Sequence, residues 1–466
     1  MYCPQVFARY NCWRTLSRPA GCGLRALFLA APASWTGGLM QLTLDRWRSG
    51  QRVGQSPVLI FDNRNFRLVF AAAVASKFGI QVSYIAIPLL AVLTLNATPG
   101  QVGLLGVLST VAFLAIGLPA GAWVDRLGKR GVQVAADLIR AVLFGSVPLA
   151  WALHALTIEQ LYLVVGLSGV ATVFFDVAAQ SFLPHVVGRD NLVAANTRLV
   201  SIDAINIIAG RGVGGFLVQL LTAPLAVALN GLTFLWSAMC LTRLPKLENR
   251  AASRSGTGLA REVNEGIRFV FGHPLLRPIA LTGTLNNLSV QISTVMLPVL
   301  LARDLGFSPM SVGFFLSTGG IGVFAGTLIA RRMGARLGYG RVMWLIGLAT
   351  VPAKLFIPLL QHGLLVWLAA FGWLLTTVQV GVNNVLQVSL RQRATPDRLL
   401  GRMNATMRFL LFGSLTVGAA IAGTVGELVG ARAALSVGVV GLMLVWLPPF
   451  LSPLRTLREL PEQVSA

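Results

Sequence analysis

Twelve apolar runs, each long enough to cross a lipid bilayer, leave this chain few folds to adopt. They lie near residues 66–94, 101–124, 131–153, 159–182, 197–222, 224–244, 276–302, 309–330, 340–361, 363–390, 404–427 and 431–452. About 20 apolar residues in a helix span the hydrocarbon core, and a helix satisfies its own backbone polar groups where no water can. The runs therefore predict an all-α membrane protein with twelve transmembrane helices. Of the 466 residues, 55% are hydrophobic and only 12% charged, about half the charged share of a soluble globular domain.

The formal net charge of +22 raises the question of nucleic acid. The basic residues sit in short connections between apolar runs, not on a soluble basic domain, so the expected partner is the lipid bilayer and not nucleic acid. The connections after even-numbered runs carry Arg126, Lys129 and Arg130, then Arg189 and Arg198. The same side carries Arg243 to Arg277 in the central connection, Arg331 to Arg341 after the eighth run, and Arg391 to Arg408 after the tenth. The opposite connections carry Arg303 and Arg432. This bias places the basic side in the cytoplasm, and an even number of spans then puts both termini there. Cys3, Cys12, Cys22 and Cys240 form no CxxC pair or Cys/His cluster, so neither a metal site nor a disulfide framework is expected.

The longest internal connection, 245–275, divides the spans six and six: an N-terminal bundle over 66–244 and a C-terminal bundle over 276–452. Within it, Leu259 to Phe271 has apolar residues at helical spacing with Arg and Glu between, the pattern of an amphipathic helix on the inner membrane surface. Residues 453–466 form a cytoplasmic tail. Residues 1–65 are a basic extension broken by Pro and Gly. They read either as a disordered cytoplasmic tail or as the product of an over-extended gene start, with Met40 as initiator.

Between the second and third runs the chain reads Gly121-Ala-Trp-Val-Asp125-Arg126-Leu-Gly128-Lys129-Arg130. So short a connection joins only antiparallel neighbours. The decapeptide resembles the signature loop of the major facilitator superfamily: Gly, three residues, Asp-Arg, one residue, Gly, two basic residues. The resemblance implies two six-helix bundles, alternating access, and a loop that latches the halves together on the cytoplasmic side. A weaker echo, Gly326-Thr-Leu-Ile-Ala330-Arg331, stands in the second half with Ala in place of Asp.

Other stretches are similar to bacterial drug and siderophore exporters of the macrolide-efflux and enterobactin-exporter kind. They include Phe175-Asp176 to Gln180 and Pro184, Leu192 to Asn196, Glu265-Gly266-Ile-Arg268-Phe269, His273-Pro274-Leu-Leu-Arg277, and Gly401-Arg402. That resemblance implies a bacterial inner-membrane protein, expected as a monomer; the sequence has no Gly-x-x-x-x-Gly-Lys-Ser/Thr loop and no nucleophile constellation, so no enzymatic activity and no cofactor are expected. It would export a small amphipathic molecule against inward proton movement. An importer or facilitator of the same fold is the alternative. Gly210-Arg211-Gly-Val-Gly214-Gly215 stands where antiporters often carry Gly-Pro-x-x-Gly-Gly, with Arg211 for Pro.

Ionisable residues inside a membrane are costly and mark function by default. Lys77, Asp137, Arg140, Asp176, Asp203, Arg211 and Lys354 qualify. Asp137 and Arg140 are three apart and can pair on one helix face; Asp203 and Arg211 fall on roughly one face, two turns apart. Asp176 has no basic neighbour in its own run and stands in a helix that lines the cavity in the family. Its partner is then Lys77, Arg211 or water; an unpaired carboxylate in a low-dielectric medium exchanges protons near neutral pH, so Asp176 is the first candidate for proton coupling, with a structural ion pair as the alternative. Gln81, Gln180, Asn286, Asn287, Gln291, Asn383, Asn384 and Gln387 are the polar candidates for a substrate cavity, with helix-to-helix hydrogen bonding as the alternative role.

Overall fold

A computed structural model describes residues 59–117, 119–188, 191–245 and 259–459, apart from the side chains of residues 59, 60, 122, 125, 259–263 and 397. The expectations for residues 1–58 fall outside this range. The described residues are helical throughout and contain no strand.

The first half comprises α1 (Arg64–Leu89), α2 (Pro99–Ile116), α3 (Ala120–Leu127), α4 (Lys129–Ala152), α5 (Ile158–Val187), α6 (Leu192–Leu221) and α7 (Ala223–Thr242). The connecting helix is α8 (Leu259–Gly272). The second half comprises α9 (Leu276–Val299), α10 (Pro309–Leu337), α11 (Tyr339–Ala349), α12 (Val351–Lys354), α13 (Leu364–Arg393), α14 (Asp397–Val429), α15 (Ala431–Leu444) and α16 (Leu447–Phe450).

Eleven helical segments are long and apolar enough to cross a membrane. The remaining apolar run, the ninth, near 340–361, is broken at Thr350 into α11 and α12 and then continues in turns. Pro352 follows the break, and a proline ring neither donates to nor fits against the preceding helical turn. Helices overshoot their apolar runs mainly at the end carrying the basic residues, hereafter the basic end. There α5 runs to Val187, α10 to Leu337, and α14 begins at Asp397. The hydropathy change marks where the membrane stops, not where the helix stops.

In the first half α1 packs on α6 and α7, α4 on α5 and α7, and α2 on α5. In the second, α9 packs on α14 and α15, and α10 on α13. The halves meet along two seams, α2 against α14 and α6 against α10. Lipid offers little hydrophobic drive between helices, so close backbone approach through small residues does the packing. A Cβ on Gly103 would overlap the Cα of Gly423, and one on Gly215 would lie 2.7 Å from the Cα of Gly313. Both contacts lie toward the end away from the basic loops. Hydrogen bonds join the halves there too. The Gly100 N–H donates to Glu427 Oε2 at 2.8 Å, Arg303 Nη1 to the Ala97 carbonyl at 3.2 Å, and the Met310 N–H to Gln219 Oε1 at 3.2 Å.

The backbone repeats itself. Positive φ occurs at Asn96, Gly128, His154 and Thr222 in the first half and at Gly306, Gly338, Gly363 and Gly430 in the corresponding turns of the second; Gly188, at the end of α5, is also at positive φ, whereas Ala394 at the end of α13 is not. After α1 and α9 the chain passes through the same π turn, Leu90–Thr94 and Leu300–Asp304. Gly128 and Gly338 share one conformation (φ 89, ψ 115 and φ 98, ψ 136). The true counterpart of Asp125-Arg126-Leu127-Gly128 is therefore Ala335-Arg336-Leu337-Gly338. The echo expected at Gly326–Arg331 is out of register, because those residues lie inside α10 before the turn.

Helix α8 docks on α14: Arg402 Nη1 donates to Glu265 Oε2 at 2.5 Å, and Gly266 lets the two backbones approach. The beginning of the expected tail folds back on α11, where the Tyr339 N–H donates to the Arg458 carbonyl at 3.1 Å.

Candidate functional site

The ionisable candidates of the first half separate into two groups. Asp137 and Arg140 form a buried ion pair in the core, 0% and 1% exposed. Ser237 Oγ donates to Asp137 Oδ2 at 2.6 Å. The Arg140 guanidinium lies over the rings of Phe175 and Phe234, at 4.6 and 4.3 Å from their centroids. Each charge is thus held by its partner, a hydroxyl or an aromatic face, which is how a buried charge becomes tolerable.

Lys77, Asp176 and Asp203 line a cavity of about 450 Å³ between α1, α5 and α6, near the basic end. Gln180, Asn196 and Phe182 complete its wall. Lys77 Nζ and Asp203 Oδ2 are 3.8 Å apart and both side chains are partly exposed. Arg211 does not join Asp203; its Nε donates to Gln81 Oε1 at 3.3 Å and its guanidinium lies 4.4 Å from the centroid of the Tyr84 ring. Asp176 makes no hydrogen bond or ion pair with the described residues. The cations whose fields reach it are Lys77, Arg140 and Arg408.

A second cavity of about 250 Å³ opens between the halves, lined by Phe113 of α2, Val173 and Val177 of α5, and Asn404, Arg408 and Phe412 of α14. Phe113 and Phe412 stack across the seam with centroids 4.4 Å apart and planes 5° from parallel. The count of basic residues groups Arg408 with the connection after the tenth run, although it falls inside the eleventh run, 404–427. It lies instead three turns into α14, because that helix starts seven residues before the apolar run.

The polar candidates scatter. Gln180 lines the larger cavity. Asn287 Nδ2 donates to the Leu411 carbonyl at 3.3 Å. Asn286 and Asn383 are buried, and neither Asn286 Oδ1 nor either amide atom of Asn383 has a hydrogen-bond partner among the described residues. Gln291 packs beside Gly418, Gln387 beside Gly283, and Asn384 is exposed. Lys354, 0% exposed, donates to Gln379 Oε1 at 2.6 Å and to the Leu442 carbonyl at 3.0 Å.

In the Gly121–Arg130 loop, Val124 is fully buried and Trp123 stacks on Phe174 of α5 at 5.8 Å. Arg130 Nε donates to the Leu241 carbonyl at 3.0 Å, and its Nη2 to that of Thr242. A guanidinium on the last carbonyls of α7 satisfies orphan acceptors and complements the helix dipole. The side chain of Asp125 lies outside the described residues.

Residues 69–419 match the sequence profile of the Major Facilitator Superfamily. The chain is 27% identical over 406 residues to the multidrug efflux pump Tap of Mycolicibacterium fortuitum, an alignment covering 82% of this chain and 95% of that protein. It is 28% identical over 414 residues to the enterobactin exporter EntS of Escherichia coli O1:K1 / APEC, covering 86% and 95%. Among solved structures, the nucleoside transporter NupG superposes with a TM-score of 0.66 at 13% identity, covering 83% of this chain and 98% of that one. A bacterial homologue of the iron transporter ferroportin, inward-facing, gives 0.65 at 18% identity, covering 83% and 98%. At such identities the structures speak for the fold alone.

Proposed function

The chain belongs to the Major Facilitator Superfamily, and from that premise we propose that it exports a drug, siderophore or other amphipathic small molecule in exchange for protons. It works by alternating access in a bacterial inner membrane, as a monomer with both termini in the cytoplasm. The observation that carries this reading is Asp176. It is a carboxylate on the wall of a 450 Å³ cavity within the membrane-spanning bundle, with no hydrogen bond or ion pair among the described residues. A charge left so is free to take and give a proton. The cavity lies within the size range of small-molecule sites, about 300–1,000 Å³, and mixes apolar walls with few polar groups. The two exporter relatives support the direction of transport. The glycine contacts of the seams lie toward the end away from the basic loops, which supports a site reached from the basic, cytoplasmic end. The Gly121–Arg130 loop serves as the latch that holds the basic end when it closes.

The test is accumulation of fluorescent drugs and iron chelators in cells stripped of their own exporters, with and without this protein, before and after collapse of the proton gradient. Lower accumulation that vanishes with the gradient is expected, and Asp176→Asn should abolish it at normal membrane abundance. Gradient-driven export by that variant would remove Asp176 from the mechanism.

A further inference from the structure

We infer that a chamber of about 200 Å³ within the first half receives an uncharged aromatic group of the transported molecule, one that carries hydroxyl or amide substituents. The inference rests on the small-molecule export proposed above and names the chemistry of its substrate.

Helix α1 packs on α6 and α7, and α5 packs on α2 and α4. Between α1 and α5 this leaves a cleft with α4 and α7 as its floor. Each of the four helices turns two successive stretches toward it. Those nearer the basic end, at Lys77, Gln133, Asp176 and Leu241, line the 450 Å³ cavity already described. The next turns, at Ile80, Arg140, Thr172 and Phe234, line the chamber further from the basic end. The Arg140 guanidinium stands between the two spaces, over the ring of Phe175, which lines the larger cavity, and that of Phe234, which lines the chamber.

The walls of the chamber select its occupant. Tyr84, Phe144 and Phe234 make them aromatic, and aromatic walls favour a flat ring, edge-on or offset-stacked, over a saturated one. On the α2 and α5 side three hydroxyl protons are already committed. Ser109 Oγ donates to the Gly106 carbonyl at 2.7 Å, Ser168 Oγ to that of Val165 at 2.9 Å, and Thr172 Oγ1 to that of Ser168 at 2.7 Å. These oxygens keep lone pairs with which to accept from an O–H or N–H of a ligand. The opposite wall holds donors. Ser83 Oγ accepts from Asn230 Nδ2, which leaves its own proton without an acceptor among the described residues. Arg140 is 1% exposed, and its Nε has no hydrogen-bond partner among the described residues. A buried donor left unmet is costly, and an oxygen acceptor of the ligand relieves that cost. The charge of Arg140 is matched by Asp137, and no other charged side chain lines the chamber among the described residues. An ammonium or a carboxylate therefore finds no unmatched counter-charge there. An apolar cavity of about 150 Å³ holds one benzene molecule, so the chamber has room for one ring with a polar substituent.

The experiment uses para-fluorobenzamide, an uncharged ring with N–H donors and a carbonyl acceptor, observed by fluorine NMR with the full-length protein in lipid nanodiscs. Empty nanodiscs correct for partition into lipid. Saturable line broadening is expected, reversed by unlabelled benzamide. The saturated cyclohexanecarboxamide and the ions benzoate and benzylammonium should displace the probe several-fold less readily. Ser168→Leu fills the chamber and should abolish binding. Ser168→Ala and Thr172→Val change the volume little and each removes one acceptor, so each should weaken binding about threefold to tenfold, while Thr172→Ser should keep it. Parental binding in both Ser168→Ala and Thr172→Val would overturn the inference, whatever Ser168→Leu does to folding. Displacement by the two ions as readily as by benzamide, or no saturable binding in the parent, would overturn it as well. Binding is measured without a proton gradient, so absence of this site and failure of proton-coupled export in the accumulation assay give different results.

Discussion

At the scale of single residues, the charges divide by whether their partners are fixed. Asp137 has Arg140 and Ser237, all three buried within one half. Removing one member of such a pair leaves the other charge buried and uncompensated, at a cost of about 3–5 kcal/mol. Asp137→Leu should therefore lower the melting temperature of the purified protein sharply, while Asp137→Leu combined with Arg140→Leu should recover much of it. A melting temperature unchanged by the single substitution would mean that the pair does not support the core. Asp176, by contrast, makes no hydrogen bond or ion pair among the described residues, so Asp176→Asn should melt close to the parent. Both acids stand out in the sequence, but nothing there separates them. Spacing along a helix brings Asp137 and Arg140 together, whereas the pairing of Lys77 with Asp203 depends on how α1 and α6 are rotated, which no single-helix pattern specifies.

At the scale of elements, the turns carry the sharpest conformational demands. Thr222, between α6 and α7, has φ 80 and ψ 158, and its counterpart Gly430 has φ 102 and ψ 158. A β-branched residue at positive φ is strained by about 1–3 kcal/mol, and its side chain makes no capping hydrogen bond in return. Thr222→Gly should stabilise the protein by about 1 kcal/mol after the entropy of the added glycine is counted. Gly430→Thr should destabilise it, and thermal unfolding of the two variants is the check. The helices themselves are legible from hydropathy because each run reports its own burial in lipid. Their ends are not, because α14 starts seven residues before its apolar run, which sets Arg408 three turns into the helix. The paired turns are also hidden. Asn96, His154 and Thr222 stand where the second half uses Gly, and no composition signal announces a positive φ at histidine or threonine.

At the scale of the whole molecule, two glycine-lined seams decide which end is shut. Replacing Gly103 by Leu places a side chain where the Cα of Gly423 now lies, so the closed arrangement away from the basic loops becomes inaccessible. Spin labels at Leu220 of α6 and Leu428 of α14, both exposed at that end, should move apart in Gly103→Leu, and most transport should be lost although the chain inserts normally. Labels that keep their parental separation would show that the seam yields without opening the end. Division of the spans into six and six is readable from the length of the 245–275 connection. The seams are not, since glycine-rich helices read alike whether they face lipid or another half.

The matched turns have a consequence for how such a chain can be assembled. A segment that crosses the bilayer six times returns to the face from which it set out. A second copy joined to it therefore enters the membrane in the same sense, with no change in the signals that orient it. The turns at Asn96 and Gly306, or at Thr222 and Gly430, are then the same joint made twice with different residues. They are interchangeable parts, and the residue found in one copy is a guide to what the other will accept.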